Sequence, residues 1–426
     1  MSSAFHVHIG GAGVMIGDAL WKLYEKEHNE TNQKNYIYQQ VNDHYHPQVL
    51  YADLDNRMIQ EVQRNKQIKY KKNSFLHGKE DASNIYARGT YTLGREIVDI
   101  GLDYVRKQVE TMDRLDQFVV TTSISGGTGS GFSDLLLSRL QVDYGNKVKK
   151  NGFIIFPSSD MSNNVLDIYN AMFSIEMTKE FLNSITMFDN QSMYKVIDQQ
   201  LDLDFVDYSH LNNLVAQIIS SYTGLRRFNC IDNAKFFANM CPYPQMHYFI
   251  PSYAKMTSIN DYSRKELSQR EFIKYITNKE SRLYQCPKNS KYISTTLLFR
   301  QKEVNNFFGK FDLTLQNLEH FFNQSPRIFQ CTSSNYQILS ELAEMKKTGT
   351  FFSNDASIVS RFQQLGAKFD KLHAKRAFVF WYVTEGLEES EFHQGRESLA
   401  ALENQYSNIG GETNESLNDI DQNHEY

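Results

Sequence analysis

Apolar residues recur along the first half of the chain in two alternating rhythms. Phe5, Val7 and Ile9 alternate with polar residues as a strand does, and Gly10-Gly11-Ala12-Gly13 then turns into a helical stretch through Trp21, Leu23 and Tyr24. A polar segment rich in His and Asn, His28 to Gln48, reads as loop holding one short strand. Val49 to Leu54 is a second strand, ending on Asp53 and Asp55. Val98, Leu102, Val105, Val109 and Met112 step by four and three, which marks one face of an amphipathic helix. Gln117 to Ile124 reads as a strand and Phe132 to Tyr144 as a helix stopped by Gly145. Gly152 to Phe156 is a strand stopped by Pro157, and Ile185 to Phe188 is another. This β-α alternation predicts an α/β fold with a mostly parallel sheet and helices on both faces.

Beyond Asn190 the rhythm changes to mixed helices and strands, punctuated by Pro242, Pro244 and Pro251. Ile358, Phe362, Leu365, Phe369 and Leu372 again step by four and three, and a further helix follows on Phe392, Leu399, Leu402 and Tyr406. From Ser407 to Tyr426 the chain is polar, with five acids and no Lys or Arg, too polar to fold alone. That tail carries the whole charge imbalance: Lys+Arg 45 against Asp+Glu 50 gives −5, so the body is formally neutral. Neutrality argues against a nucleic-acid binder held by global charge. No apolar run reaches the roughly 18–20 residues of a membrane span, and no basic region precedes the first strand, so neither a span nor a signal peptide is expected. Cys230, Cys241, Cys286 and Cys331 stand far apart without a C-x-x-C pair, which fits reduced thiols better than a zinc site or a disulfide framework.

The strongest chemical signal is Ser125-Gly126-Gly127-Thr128-Gly129-Ser130-Gly131, set between a strand and a helix. Glycines there let the backbone take positive φ and approach an anion, and successive N–H groups at a helix N-terminus suit phosphate. No Gly-Lys-Ser/Thr closes the segment, so it is not a Walker A loop. The turn Gly10 to Gly17 could cradle a second phosphate. A nicotinamide site would want an acid about 20 residues further on, and Asp53 and Asp55 lie about forty after Gly13. Two glycine turns with an acidic strand end suit a nucleoside di- or triphosphate with Mg²⁺ better.

These segments together resemble the tubulin family. The glycine loop looks like the tubulin signature, and His8 to Gly17 with Trp21 to His28 resembles the family's N-terminus. Gly78-Lys-Glu-Asp-Ala-Ser-Asn-Ile-Tyr-Ala-Arg-Gly-Thr-Tyr91 matches its next nucleotide-facing loop. Ala374-Lys-Arg-Ala-Phe-Val-Phe-Trp-Tyr-Val383 and Glu385 to Phe392 are similar to the carboxy-terminal helices of α-tubulin, and the chain ends in Glu425-Tyr426 as α-tubulins do. The resemblance implies a Rossmann-like GTP-binding domain over 1–189, a mixed α+β intermediate domain over 190–355, a carboxy-terminal helical hairpin over 356–406 and an acidic disordered tail over 407–426. It also implies GTP and Mg²⁺ as cofactors and β-tubulin as the heterodimer partner. A place in the microtubule lattice of the cytoplasm follows, with motors and associated proteins touching the carboxy-terminal helices and no nucleic acid or membrane partner.

By the same resemblance, Ser123, Gly126, Gly127, Thr128, Gly129 and Ser130 hold the phosphates, helped by the backbone at Gly10, Gly11 and Ala12. Asp53 and Asp55 sit by the Mg²⁺, with Asp55 its ligand, and Asn84 lies in the loop over the phosphates. Asn163 falls on the ribose side, while Asn190, Tyr208 and Asn212 read and stack the guanine; two amides offering donor and acceptor suit a base edge. Several positions depart from the family. Gly11 and Met15 stand where glutamines are usual, Asp55 where a longer glutamate is usual, and Ser125 puts a Cβ where the backbone is expected to need freedom. Lys235 takes the place of the glutamate that α-tubulin sends into its partner's nucleotide site. A lysine cannot orient water as a carboxylate does, so hydrolysis there is expected to be impaired. Lys235 is alternatively an ordinary helix-surface lysine or a contact to the partner's phosphates, and a one-place slip would bring Asp232 nearer. The lateral segment Tyr275 to Leu283 has no clear family match, which leaves open a non-polymerising pseudo-tubulin that caps or sequesters.

Overall fold

The computed structural model describes residues 2–29, 36–41, 44–158, 164–201, 205–228, 233–254, 269–287, 291–301, 327–332, 336–339, 342 and 347–410. The chain enters on β1 (Ser2–Ile9) and runs directly into α1 (Gly10–Asn29). A hairpin of β2 (Tyr38–Val41) and β3 (His44–Pro47) leads to β4 (Val49–Asp53), α2 (Asn56–Arg64) and β5 (Phe75–His77). There follow α3 (Leu93–Glu110), β6 (Arg114–Ser123), α4 (Ser133–Tyr144), β7 (Lys149–Phe156), α5 (Leu166–Phe181), β8 (Ser184–Asp189) and α6 (Asn190–Gln200). Then come α7 (Tyr208–Arg227), α8 (Asn233–Met240), β9 (Tyr248–Tyr253), α9 (Gln269–Thr277), β10 (Tyr292–Gln301), β11 (Arg327–Thr332) and β12 (Lys347–Asp355). Three helices close the described chain: α10 (Val359–Ala374), α11 (Val379–Thr384) and α12 (Glu389–Gly410).

One sheet runs through the molecule in the order β11-β10-β12-β9-β8-β7-β6-β1-β4-β5. From β5 across to β9 every pair is parallel, and β12 then pairs antiparallel with both β9 and β10. The parallel part needs helices on both faces, because each crossover must return over the sheet. Two large apolar cores result, one under α1, α6 and α7, the other under α3, α4, α5, α10 and α12, and a smaller one lies where α9 packs on β10 and β12. The sheet does not stop at residue 189. Tyr248 and Phe249 of β9 pair with Ile185 and Thr186 of β8, so the segments on either side of Asn190 share one hydrogen-bonded ladder.

Two local expectations need correction. The segment before Gln48 holds two strands, not one, paired from Tyr38↔Pro47 to Val41↔His44. The last helix passes Tyr406 and continues to Gly410, into the part expected to be tail. Ile409, three places past Tyr406, continues the step of Leu399, Leu402 and Tyr406, so the apolar period itself runs into the extra turn.

The polar positions of β1 are as buried as its apolar ones, because α1 and α7 cover that face. His6 and His8 are both completely inaccessible. Trp21 Nε1 donates to His8 Nε2 at 3.3 Å, and the His6 ring lies 5.3 Å from Trp21 and 5.6 Å from Tyr24. Neither nitrogen of His6 has a hydrogen-bond partner among the described residues. Burial holds His8 down to about 3, and burial, with the charges of His8 and Arg227, holds His6 well below its usual value.

A buried ion cluster joins α1, α7 and β10. Glu27 meets Arg227 Nη1 at 2.6 Å and Arg300 Nη2 at 2.7 Å, and accepts from the Ser220 hydroxyl at 2.6 Å. Burial works against the Glu27 charge, but Arg300 and Arg227 outweigh it and hold the carboxyl at about 2. Arg227 also lies over the Tyr24 ring at 4.3 Å.

Two predictions follow from these clusters. An unfolded histidine takes up a proton below about pH 6.5 and these folded ones do not, so their contribution is present above that pH and is lost as pH falls, by up to about 1.4 kcal/mol per unit each. His6→Phe fills the slot without nitrogens and should make the urea stability fall less steeply between about pH 6.5 and 5; an unchanged slope would sink the account. Glu27→Gln leaves two buried arginines facing a neutral amide and should cost about 3–5 kcal/mol in the same titration at pH 7.

Candidate functional site

Because β1, β4, β6 and β8 are parallel, their carboxyl ends lie along one edge, where open α/β sheets bind ligands. Gly10, Asp53, Ser123 and Asn190 stand at or just past those four ends. Gly10 has φ +72°, and a Cβ on it would lie 3.1 Å from both Cα and N of Gly129. The two glycine turns singled out in the sequence are therefore in van der Waals contact. Gly11 sits beside them, with its Cβ position 3.8 Å from an Asp53 carboxylate oxygen.

The glycines of Ser125–Gly131 serve a different purpose from the one expected. None of them has a positive φ, and Ser125 has none either, so its Cβ is accommodated without backbone strain. The segment is wound rather than open: a wide π-type turn, Thr128–Phe132, feeds straight into α4. Close approach is what demands glycine. A Cβ on Gly127 would fall 2.6 Å from Ile85 N, and Cβ atoms on Gly129 and Gly131 would run into the carbonyls of Ser123 and Tyr86. A second wide turn, Arg88–Thr92, packs on the first, with the Thr90 hydroxyl donating to Gly131 O at 2.9 Å. The serine hydroxyls shape the turn from inside. Ser130 Oγ donates to Gly126 O at 2.6 Å, and Ser123 Oγ accepts from Ser125 N at 3.4 Å. What remains for a ligand is the set of N–H groups that any first helical turn leaves unpaired.

The loop ending at Asn84 overhangs this turn. Ser83 and Asn84 both take left-handed backbone, φ 50° and 59°, a conformation that costs a serine more than an asparagine. Asn84 Nδ2 donates to Asp167 at 3.1 Å, and its Oδ1 lies 3.7 Å from the Cβ position of Gly126. Asn170, on α5, ties the parts together and carries no sequence motif. Its amide donates to the carbonyls of Asn84 at 2.9 Å and Ser125 at 2.7 Å. Its carbonyl accepts from Tyr86 N at 3.0 Å and from the Tyr382 hydroxyl at 2.8 Å. The one signal that could have found it is a polar amide inside the apolar run Tyr169 to Phe173.

Of the two strand-end acids, Asp53 faces the glycine turns. Burial, with Asp55 and Asp81 nearby, raises its carboxyl to about 7, against hydrogen bonds from Asp55 and Thr128. Asp55 caps α2, accepting from Arg57 N at 3.1 Å and pairing with Arg57 Nε at 3.4 Å. No group of three metal-ligating side chains occurs among the described residues. A nucleotide-borne Mg²⁺ takes most of its shell from phosphates and water and needs only one or two carboxylates, so this pair of acids fits it.

The residues expected on the base side come to the same edge through helix geometry. Tyr24 and Thr223 touch at 2.8 Å across α1 and α7. Both helices begin about fourteen or fifteen residues earlier, so as parallel neighbours they start Gly10 and Tyr208 at about the same level. Tyr208 is exposed, 6.2 Å ring to ring from Tyr194, and Asn212 follows one turn later on the same face. Asn190 opens α6, which Asp189 caps through Gln191 N. Asn163 and Asp232 lie outside the described residues. Lys235 is exposed on α8, away from this edge. Its neighbour Phe236 packs 5.4 Å from Tyr222, which is about 20 Å along α7 from Tyr208.

An exposed aromatic patch belongs to the same region. Phe380 is 71% and Trp381 56% exposed on α11. Just beyond, Glu385 pairs with Arg88 Nε at 3.4 Å and accepts from Thr92 Oγ1 at 3.0 Å, and Tyr91 donates to Glu391. The second wide turn is thus tied directly to the stretch that carries the patch.

Comparison with known proteins identifies the family. Residues 3–198 match the model of the Tubulin/FtsZ family GTPase domain, and residues 244–367 match the tubulin C-terminal domain. The tubulin alpha-1B chain of Physarum polycephalum is 37% identical over 446 aligned positions, covering 97% of this chain and 98% of that one. The tubulin alpha-2B chain of the same organism is 36% identical over 448, with the same coverage. With both family domains matched in order and α-tubulins aligned along nearly the whole length, the chain belongs to the tubulin family as a divergent α-tubulin-like member.

Proposed function

We propose that this protein is an α-like tubulin subunit that binds GTP at the edge formed by β1, β4, β6 and β8, pairs with β-tubulin and enters microtubules of the cytoplasmic cytoskeleton. One observation carries the reading: two glycine turns in contact, an acid and an overhanging asparagine share an edge with an unpartnered aromatic patch. In this reading the N–H groups of Gly10 to Ala12 and of Gly126 to Gly129 hold the phosphates; Ser130, whose N–H donates to Gly126 O at 3.0 Å, shapes the turn with Ser123, and Asn84 covers it. Asp53 and Asp55 hold Mg²⁺, which screens phosphate charge when bound. Asn190, Tyr208 and Asn212 recognise and stack the guanine, and Asn163 serves the ribose side. β-Tubulin closes over the nucleotide edge against Phe380 and Trp381, since exposed aromatics of this size are what an interface core uses.

Lys235 supports impaired hydrolysis. Lying beside the last third of α7, it is too far to reach the nucleotide edge of its own chain, so it acts, if on any nucleotide, on that of the next subunit in a filament. There an ammonium attracts phosphate but cannot accept a proton from water. The same observation favours a second reading, a subunit that caps or sequesters because its end of the filament is altered. Co-sedimentation separates the two: an incorporated subunit pellets with microtubules, and a sequestering one stays in the supernatant.

Denaturing the purified protein should release about one undegraded GTP per chain, as one nucleotide edge per chain requires. Protein empty of guanine nucleotide would overturn the GTP reading. Lys235→Glu should raise phosphate release per subunit incorporated in copolymers with β-tubulin, within the range of about 10²–10⁴ that a positioned acid or base contributes. An unchanged release would count against the assigned role of Lys235.

A further inference from the structure

The helix that carries the aromatic patch is hung in an unusual way. α11 has six residues, and left-handed backbone brackets it: Arg376 (φ 49°) and Phe378 (φ 60°) before it, Gly386 (φ 99°) after it. Breaks of that kind interrupt helix continuity on both sides, so the orientation of α11 is set by its side chains: Val379 and Tyr382 are buried in the core, and the Tyr382 hydroxyl lies 3.4 Å from Leu166 O. Two further ties lead to the phosphate-side loops. The Tyr382 hydroxyl donates to Asn170 Oδ1 at 2.8 Å, while Asn170 Nδ2 holds the carbonyls of Ser125 in the glycine turn and Asn84 in the overhanging loop. Glu385 pairs with Arg88, whose guanidinium also donates to Ser83 Oγ at 2.9 Å and meets Glu80 at 3.2 Å in that same loop.

We infer that Asn170–Tyr382 and Arg88–Glu385 form a two-strut relay through which occupancy of the phosphate turns sets the position of Phe380 and Trp381, the proposed partner-docking patch. The inference rests on the GTP reading above. The physical argument is short. A shift of backbone at Ser125 or Asn84 moves the Asn170 amide, because both carbonyls accept from its one nitrogen. That shift reaches Tyr382 through the carbonyl of the same side chain. Tyr382 is fully buried, with ring centroids 5.5 Å from Tyr169, 5.6 Å from Phe173 and 6.0 Å from Phe392, so it transmits displacement instead of absorbing it. Trp381 is the next residue, and it stands in solvent. Both loops reach α11 through atoms already in hydrogen-bond contact, with Ser83 and Asn84 holding backbone strain that a bound anion can relieve or deepen.

The chain carries its own reporter. It has two tryptophans, of which Trp21 is fully buried and Trp381 is 56% exposed, so acrylamide quenching reads Trp381. Nucleotide-stripped full-length protein is titrated with GTP and Mg²⁺, with uptake measured by equilibrium dialysis and quenching followed in parallel. Wild-type protein should bind GTP and change its quenching constant. Tyr382→Phe keeps the ring and removes one hydroxyl; Glu385→Gln removes the second strut from the surface. Each should bind GTP with a smaller change in quenching, and the double variant should bind with none. If Tyr382→Phe does not fold, as judged by circular dichroism, Glu385→Gln decides alone. GTP uptake without any change in wild-type quenching, or a full change retained in the variants, overturns the relay and leaves the GTP reading standing. No uptake by wild-type protein overturns the GTP reading, and the relay with it.

Discussion

The arrangement of this molecule depends on where α1 and α7 stand along each other, and one carboxylate decides that. Glu27, near the end of α1, bonds Arg227 at the end of α7, Ser220 about two turns earlier, and Arg300 on β10. Apolar packing between the two helices would tolerate sliding by a turn, because Leu, Val and Tyr present similar surfaces at each turn. Charged hydrogen bonds of 2.6–2.7 Å do not tolerate it. With the far ends locked and both helices twenty residues long, their near ends are level. Gly10 and Tyr208 open those near ends. The geometry of the candidate nucleotide edge is therefore fixed about 25–30 Å away from it, at the rise of an α-helix.

The edge itself is built by exclusion of volume. Three glycines of the signature segment sit where any Cβ would enter a neighbouring backbone, and this lets two wide turns nest against each other. A wide turn leaves its backbone groups less evenly paired than a regular helix does, which is why such turns recur at binding sites. The hydroxyls and amides nearby are mostly spent in holding the turns, so ligand recognition there falls to the main chain. Gly11 fits that scheme: it offers only its backbone, and its Cβ position lies in ordinary contact, 3.6 Å from Met58 Cγ and 3.8 Å from an Asp53 carboxylate oxygen.

Much of the fold is written in the order of the residues. Strands β1, β4, β6, β7 and β8 and helices α1, α3, α4, α10 and α12 are visible as periods of two and of three to four, because each buries a regular face. The hairpin before Gln48 shows no apolar alternation, because Gln39, Gln40, His44 and His46 are all polar. The burial of His6 and His8 runs against alternation, because both faces of a central parallel strand are covered. At the site, the glycine turns and strand-end acids are legible from spacing, whereas Asn170 is not. Its four partners come from residues between 40 and more than 200 positions away, and no local pattern encodes that. The division of labour between Asp53 and Asp55 is likewise settled by burial and by the start of α2, not by residue type.

The two ends of α7 give the molecule a direction. At one end lies the candidate nucleotide edge with its aromatic patch; towards the other, α8 presents Lys235 to solvent. A protein with unlike ends that meet each other associates head to tail, and such contacts generate open filaments when the rotation does not close. Under the proposed function, a change at Lys235 leaves the nucleotide pocket of its own chain untouched and alters the pocket completed with the next chain. In the proposed reading this subunit keeps the means to hold GTP and loses the means to hydrolyse its neighbour's. A filament containing it would carry that deficit at every site it completes, and only there.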